Sequence, residues 1–217
     1  MHQEVGFPTS LQTYLLHNAC MDLMVTALKG GVGKTTTAVH LAAAMNEEEP
    51  TMLIDMDEGN PGALSWAQQG SLPITVADLR EGSKKRGSFS GHAVWDAPAS
   101  PEQSRLLAAL RSADLVVVPS SCEPLALSSL RTFLSLIDGQ EINYRVLLTM
   151  VPPNPSPRGE QARAVLQNAG VPLFDAWIRR ATCFQDAALN GRLVYEERSG
   201  TPRWMEYQSV AQEVLNG

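Results

Sequence analysis

Residues 29–36 read Lys-Gly-Gly-Val-Gly-Lys-Thr-Thr, the segment of this chain best suited to hold a multiply charged anion. Lys29, Gly30, Gly31, Val32, Gly33, Lys34, Thr35 and Thr36 lie between an apolar run and a helix-forming run. Glycines let the backbone curl so that its N–H groups face an anion. The helix N-terminus adds partial positive charge. Lys34 can reach the outer phosphates of a nucleotide, and the Thr35 hydroxyl can ligate Mg²⁺. Transfer of a phosphoryl group asks mostly for positioning, charge neutralisation and an oriented water. Carboxylates at strand ends near such a loop can hold the metal and the water. Three are available, at Asp55, Asp57 and Asp96. One aspartate alone would read as a turn residue; three at strand ends around one loop point to chemistry.

The elements that must position them alternate between apolar runs and helical periodicity. Strands are predicted at Leu23–Leu28, Thr51–Ile54, His92–Trp95, Asp114–Val118 and Tyr144–Met150, with a short one at Pro172–Phe174. Helices are predicted at Thr35–Met45, Pro101–Arg111, Leu125–Ile137, Glu160–Asn168, Thr182–Leu189 and Arg203–Leu215. Residues 59–69 read as a loop leading into a helix. Glu81–Gly91, with Lys84, Lys85 and Arg86, reads as an exposed loop. The four prolines of VPPNPSPRG exclude regular structure. Strands separated by helices imply an α/β fold: a doubly wound, mostly parallel sheet covered on both faces.

The chain has 217 residues and a formal net charge of -6. Its length suits one domain over residues 21–217. Residues 1–20 form an N-terminal extension, either disordered or preceding the native start at Met21 or Met24. The acidic balance argues against a constitutively basic nucleic-acid or membrane-surface binder. The whole excess lies in residues 1–140; residues 141–217 hold eight arginines and eight acids. Three distant cysteines, Cys20, Cys122 and Cys183, give no support to a disulfide framework or a zinc site. A reduced, cytoplasmic setting is expected, with no apolar run long enough to span a bilayer.

The loop departs from the usual G-x-x-x-x-G-K-[ST], because Leu28 occupies the first glycine position and a lysine, Lys29, follows it. KGGVGKTT resembles the deviant Walker A motif of the ParA/MinD family of P-loop ATPases. The resemblance implies a P-loop NTPase fold with ATP and Mg²⁺ as cofactors. It implies that Lys29 reaches the partner's phosphates across an ATP-dependent homodimer. Leu53-Ile54-Asp55-Met56-Asp57 resembles the segment after the family's second strand. By that match Asp57 orients or activates the attacking water, and Asp55 supports the Mg²⁺ shell. Glu58 stands where the family has proline. Asp96 resembles the Walker B aspartate that binds Mg²⁺ through water.

In the second half, the segment ending at Met150, with Pro152 and Pro153, resembles the edge of the adenine pocket. Ile178–Ala187 resembles the family's I-P-R-x-x-x-x-x-E-A stretch, with Arg179 at its proline and Arg180 at its arginine. The resemblance implies DNA contact without sequence preference through Arg180, and more weakly through Arg158, Arg163 and Arg179. An equally weighted reading pairs these arginines with neighbouring acids. The last helix packs on the domain and is not a membrane anchor, since only Arg203 is basic there. The implied function is a ParA-like partition ATPase, nucleoid-associated, whose slow hydrolysis a ParB-like centromere-binding partner stimulates. The alternatives are a ParA-like ATPase that positions a protein cargo, a nucleotide-gated scaffold with little hydrolysis, and a ligase on the same fold.

Overall fold

The computed structural model describes residues 20–98 and 102–217. The expected extension therefore lies, apart from Cys20, outside the described residues, as does Pro101. Six strands make one sheet in the order β3-β2-β4-β1-β5-β6, with every pair parallel. They are β1 (Asp22–Val25), β2 (Thr51–Asp55), β3 (Thr75–Asp78), β4 (His92–Asp96), β5 (Leu115–Ser121) and β6 (Tyr144–Thr149). The helices are α1 (Lys34–Met45), α2 (Gly62–Gln69), α3 (Leu79–Arg86), α4 (Gln103–Ser112), α5 (Pro124–Ile137), α6 (Pro157–Asn168), α7 (Cys183–Asn190) and α8 (Thr201–Leu215).

A parallel sheet must bury both faces, and the strands alternate accordingly. Leu23, Val25, Leu53, Val94 and Val117 face α1, α7 and α8. Met24, Val116, Val118, Val146 and Leu148 face α4, α5 and α6. Trp204, Tyr207, Val210, Ala211 and Val214 of α8 are buried, so this helix packs on the sheet domain as expected.

Two elements differ from the sequence reading. Residues 75–78 are a strand at the sheet edge, and the segment read as an exposed loop begins inside a helix, α3. Alternation is weak in β3, where only Ala77 is buried. In α3 the buried residue is Gly82, and a Cβ there would meet Ile54 side-chain carbons at 2.7 Å. The helix therefore docks through an absent side chain and leaves no apolar stripe in the sequence. It is held by its ends: Asp78 accepts from the Glu81 N–H at 2.7 Å, and Arg86 pairs with Asp22 at 2.8 Å.

The proline-rich stretch also differs, because α6 starts within it, at Pro157. Proline suits the first helical position, where no N–H is needed, and Ser156 caps the turn by accepting from Gly159 N–H at 3.2 Å. Pro172–Phe174 contributes a single parallel bridge between Val146 and Leu173 rather than a strand.

Candidate active site

Strand β1 delivers the chain to the loop at the carboxyl edge of the sheet, beside β4 and β5. In doubly wound sheets this is where ligands bind. Gly33, the residue before α1, has φ 90°, a left-handed conformation that a side chain would strain. Its carbonyl accepts the Thr37 N–H at 2.8 Å, which starts the helix. The back of the loop is tied to β6, where Thr149 donates its hydroxyl hydrogen to the Val32 carbonyl at 2.8 Å. Lys29 and Lys34 are half-buried, and neither has an ion-pair partner among the described residues.

The three aspartates occupy the expected edge but are not equivalent. Asp55 is 2% exposed, and its carboxylate accepts three backbone N–H groups: Asp57 at 3.0 Å, Ala63 at 2.9 Å and Leu64 at 3.1 Å. It thereby anchors the N-terminus of α2, a role that sequence reasoning did not assign. Asp57 Oδ1 accepts from Gly59 at 3.2 Å and Asn60 at 3.0 Å, which closes an Asx turn. Asp96 is 3% exposed, and its Oδ1 is buried with no hydrogen-bond partner among the described residues. Burial pushes its carboxyl up to about 7, with Asp55 and Asp57 adding to the rise. The Thr35 hydroxyl and Lys34 act in the opposite direction.

An unpartnered buried carboxylate oxygen beside a threonine hydroxyl fits a bound divalent cation. Among the described residues no group of three or more His, Cys, Asp or Glu side chains is arranged as a metal site. Mg²⁺ keeps several waters and takes few protein ligands alongside phosphate oxygens, so one carboxylate and one hydroxyl are donors of the right kind for it. Thr35 and Asp96 are the residues that would hold it. Asp55, with three backbone donors on its carboxylate, is better read as the scaffold beneath them.

A cavity of about 340 Å³ opens beside the loop. Its walls are the first turn of α1, with Gly33 and Thr36, the end of β6, with Thr149 and Met150, and the Ile178–Gln185 segment with Tyr207. Met150 lines it; Pro152 and Pro153 do not. Phe184, Gln185 and Tyr207 also line it, and sequence reasoning gave none of them a role at the site. Their positions, 35 to 58 residues beyond β6, carry no local signal of a shared wall.

The four arginines singled out for DNA separate into two pairs. Arg163 sits 4.8 Å over the Trp177 ring and donates to the Asp175 carbonyl at 2.7 Å. Arg179 pairs with Glu206 at 2.8 Å. Both guanidiniums are thus engaged within the fold, in line with the ion-pair reading. Arg158 and Arg180 are exposed, with Arg180 3.9 Å from Glu123.

Below the loop, His40 of α1 lies in an aromatic cluster with Trp66, Phe184, Trp204 and Tyr207. Its Nε2 accepts the Val194 N–H at 3.1 Å, so Nδ1 carries the proton and donates to the Thr36 carbonyl at 2.8 Å. Burial holds this imidazole down to about 4, in its neutral form.

Residues 23–194 match the CobQ/CobB/MinD/ParA nucleotide-binding domain family. The chain belongs to this family. ATP and Mg²⁺ are accordingly its cofactors. A curated relative, maintenance of carboxysome distribution protein A of Gloeobacter kilaueensis, is 35% identical over 86% of this chain and 90% of its own length. The structure of a Cyanothece McdA D38A–ATP complex matches with TM-score 0.66 at 17% identity, covering 91% of this chain and 96% of that one. Cobyrinic acid a,c-diamide synthase of Mycobacterium smegmatis, with ADP and magnesium bound, matches with TM-score 0.64 at 20% identity, covering 91% and 95%. These two structures share the fold; since one is a synthase, the fold by itself does not choose a function. Among the described residues no helix is long and apolar enough to cross a membrane.

Proposed function

We propose that this chain is a ParA-type ATPase that positions a protein cargo along DNA. The observation that carries this is Lys29 beside Lys34 in one glycine loop, at an edge that also presents Asp57 and Asp96. The Gloeobacter relative supports a protein assembly as cargo, because its name describes distribution of carboxysomes and its likeness runs over most of both chains.

In this reading Lys34 and the loop N–H groups hold the phosphates of ATP. Thr35 and Asp96 would hold Mg²⁺, which would supply charge neutralisation when bound. Lys29 has no ion-pair partner among the described residues, which suits a role across a face shared with a second copy. Asp57 orients the attacking water: its Oδ1 is fixed by the Asx turn, and its Oδ2 has no partner among the described residues. Hydrolysis then removes the contact on which the closed dimer depends. DNA is held by exposed arginines brought together in the dimer, with Arg158 and Arg180 as the candidates. A negatively charged chain needs such gating, since one copy alone offers DNA little positive surface. The exposed Glu58, where the resembled segment has proline, bears on the rate; single-turnover hydrolysis separates a working ATPase from a scaffold.

A second reading, DNA partition with a ParB-like partner, shares every step except the cargo. DNA binding measured with ATP, with ADP and without nucleotide, across a salt series, tests the shared part. Affinity should appear only with ATP and fall steeply as salt rises, because phosphate contacts release counterions. Binding that is indifferent to nucleotide would contradict it. Deleting the gene from its host then separates the readings. Clustering of a protein assembly with normal DNA inheritance favours the first, and loss of DNA with normal assemblies favours the second.

A further inference from the structure

Two adjacent residues of the last helix grip opposite walls of the cavity beside the loop. Tyr207 is 1% exposed, and its hydroxyl shares a 3.2 Å hydrogen bond with Thr37 Oγ1 on α1, 170 positions away. Thr37 follows Thr36, which lines the cavity, and the Tyr207 ring lines it too. Glu206 reaches the other wall. Its Oε2 accepts the backbone N–H of Arg179 at 2.9 Å, and its Oε1 accepts from the Arg179 guanidinium at 2.8 Å. The Arg203 guanidinium is also 2.9 Å from Oε1. The Glu206 side chain is only 11% exposed, where an ion pair is screened far less than at the surface. The segment it holds is itself tied to β6 and the chain just beyond it, with Ile178 N–H donating to the Leu148 carbonyl and Arg180 N–H to the Val151 carbonyl.

We propose that Glu206 and Tyr207 set the width of the nucleoside end of the site and act as positioning residues for nucleotide binding. This rests on the reading of the loop as the phosphate site and extends it to the base and ribose. Glu206 offsets two guanidiniums at once. With a neutral side chain in its place, Arg179 and Arg203 face each other without a counter-charge. A glutamine amide keeps one acceptor oxygen but puts an NH₂ donor where two guanidiniums point, so the Ile178–Arg180 wall keeps its bonds to Leu148 and Val151 and loses the charged acceptor that fixes Arg179. The phosphate loop has its own anchors in the bond from Thr37 N–H to the Gly33 carbonyl and the bond from Thr149 to Val32, neither of which involves Glu206 or Tyr207, so it should not follow.

That separation gives the test. Affinity for Mg²⁺-ATP and for Mg²⁺ with inorganic tripolyphosphate is measured by calorimetry for the full chain, for Glu206→Gln and for Tyr207→Phe. Tripolyphosphate occupies the loop and leaves the nucleoside wall untouched. Glu206→Gln should weaken ATP about tenfold and leave tripolyphosphate unchanged. Tyr207→Phe should give the same split at about threefold. ATP affinity within twofold of the parent for Glu206→Gln, or equal weakening of both ligands, would overturn the proposal. Failure of the unaltered chain to bind either ligand would instead overturn the phosphate-site reading beneath it.

Discussion

The proposed phosphate end of the site and its proposed nucleoside end are built by different means. The phosphate end is local. Eight consecutive residues form the loop, and Asp55, Asp57 and Asp96 all lie at or just beyond the ends of β2 and β4. Its contacts are mostly side chain to nearby backbone: Asp55 to Ala63, Asp57 to Asn60, Gly33 to Thr37. The nucleoside end is assembled at long range. Glu206 reaches Arg179, Tyr207 reaches Thr37, and His40 receives Val194 from 154 positions away. Chemistry is concentrated in the local half, where spacing alone can align donors. Shape is concentrated in the distant half, where packing of α7 and α8 decides it.

That contrast can be broken in order of expected effect. Lys34→Ala should lower ATP affinity by about a hundredfold or more, because a charge-assisted phosphate contact is lost, with little change in melting temperature. A normal affinity would remove the loop from the site. Asp57→Ala should slow single-turnover hydrolysis by roughly a hundredfold while ATP still binds. If Asp57 only closes its turn, hydrolysis per bound ATP stays at the parent rate and only stability falls.

The distant half should show itself in acid. His40 is held neutral in the folded chain and charges freely once unfolded, so the unfolded state takes up the proton first. Stability is full above about 6.5 and is lost as pH falls toward about 4. The loss is of the order of 3 kcal/mol. Denaturant melts of Asp96→Asn across that window read it without the opposing proton uptake of Asp96. A flat profile would mean that the imidazole is not sealed in the cluster.

Smaller and opposite in sign are two neutralisations within the local half. Asp55→Asn should destabilise the nucleotide-free chain by about 1–2 kcal/mol, since three backbone donors lose a charged acceptor. Asp96→Asn should stabilise the nucleotide-free chain, because the charge of a buried carboxylate with one unpartnered oxygen disappears, while the Mg²⁺-dependent part of ATP affinity is lost. Equal signs in thermal melts would erase the distinction drawn between scaffold and metal ligand.

The same contrast explains what could be read from the amino acids alone. Apolar alternation and helical spacing gave away five of the six strands and every helix with an apolar face. Strand β3 and helix α3 escaped because the contact between α3 and the sheet is a glycine against Ile54. The loop and the aspartates were legible because their spacing is their geometry. Glu206 and the cavity-facing side of Tyr207 were not, since nothing near them in sequence names Arg179 or Thr37 as partners. For the same reason the amino acids alone left Arg179 open between DNA contact and an ion pair: its counter-charge lies 27 positions away, on α8.

The central claim is that this loop runs an ATP-gated association of two chains through Lys29. The direct measurement is the solution mass of Asp57→Ala by light scattering, with ATP, with ADP and without nucleotide. The same series is then run for Asp57→Ala combined with Lys29→Ala. Mass should double with ATP alone, and the doubling should vanish when Lys29 is removed. A mass indifferent to nucleotide, or a doubling that survives the loss of Lys29, would contradict the account.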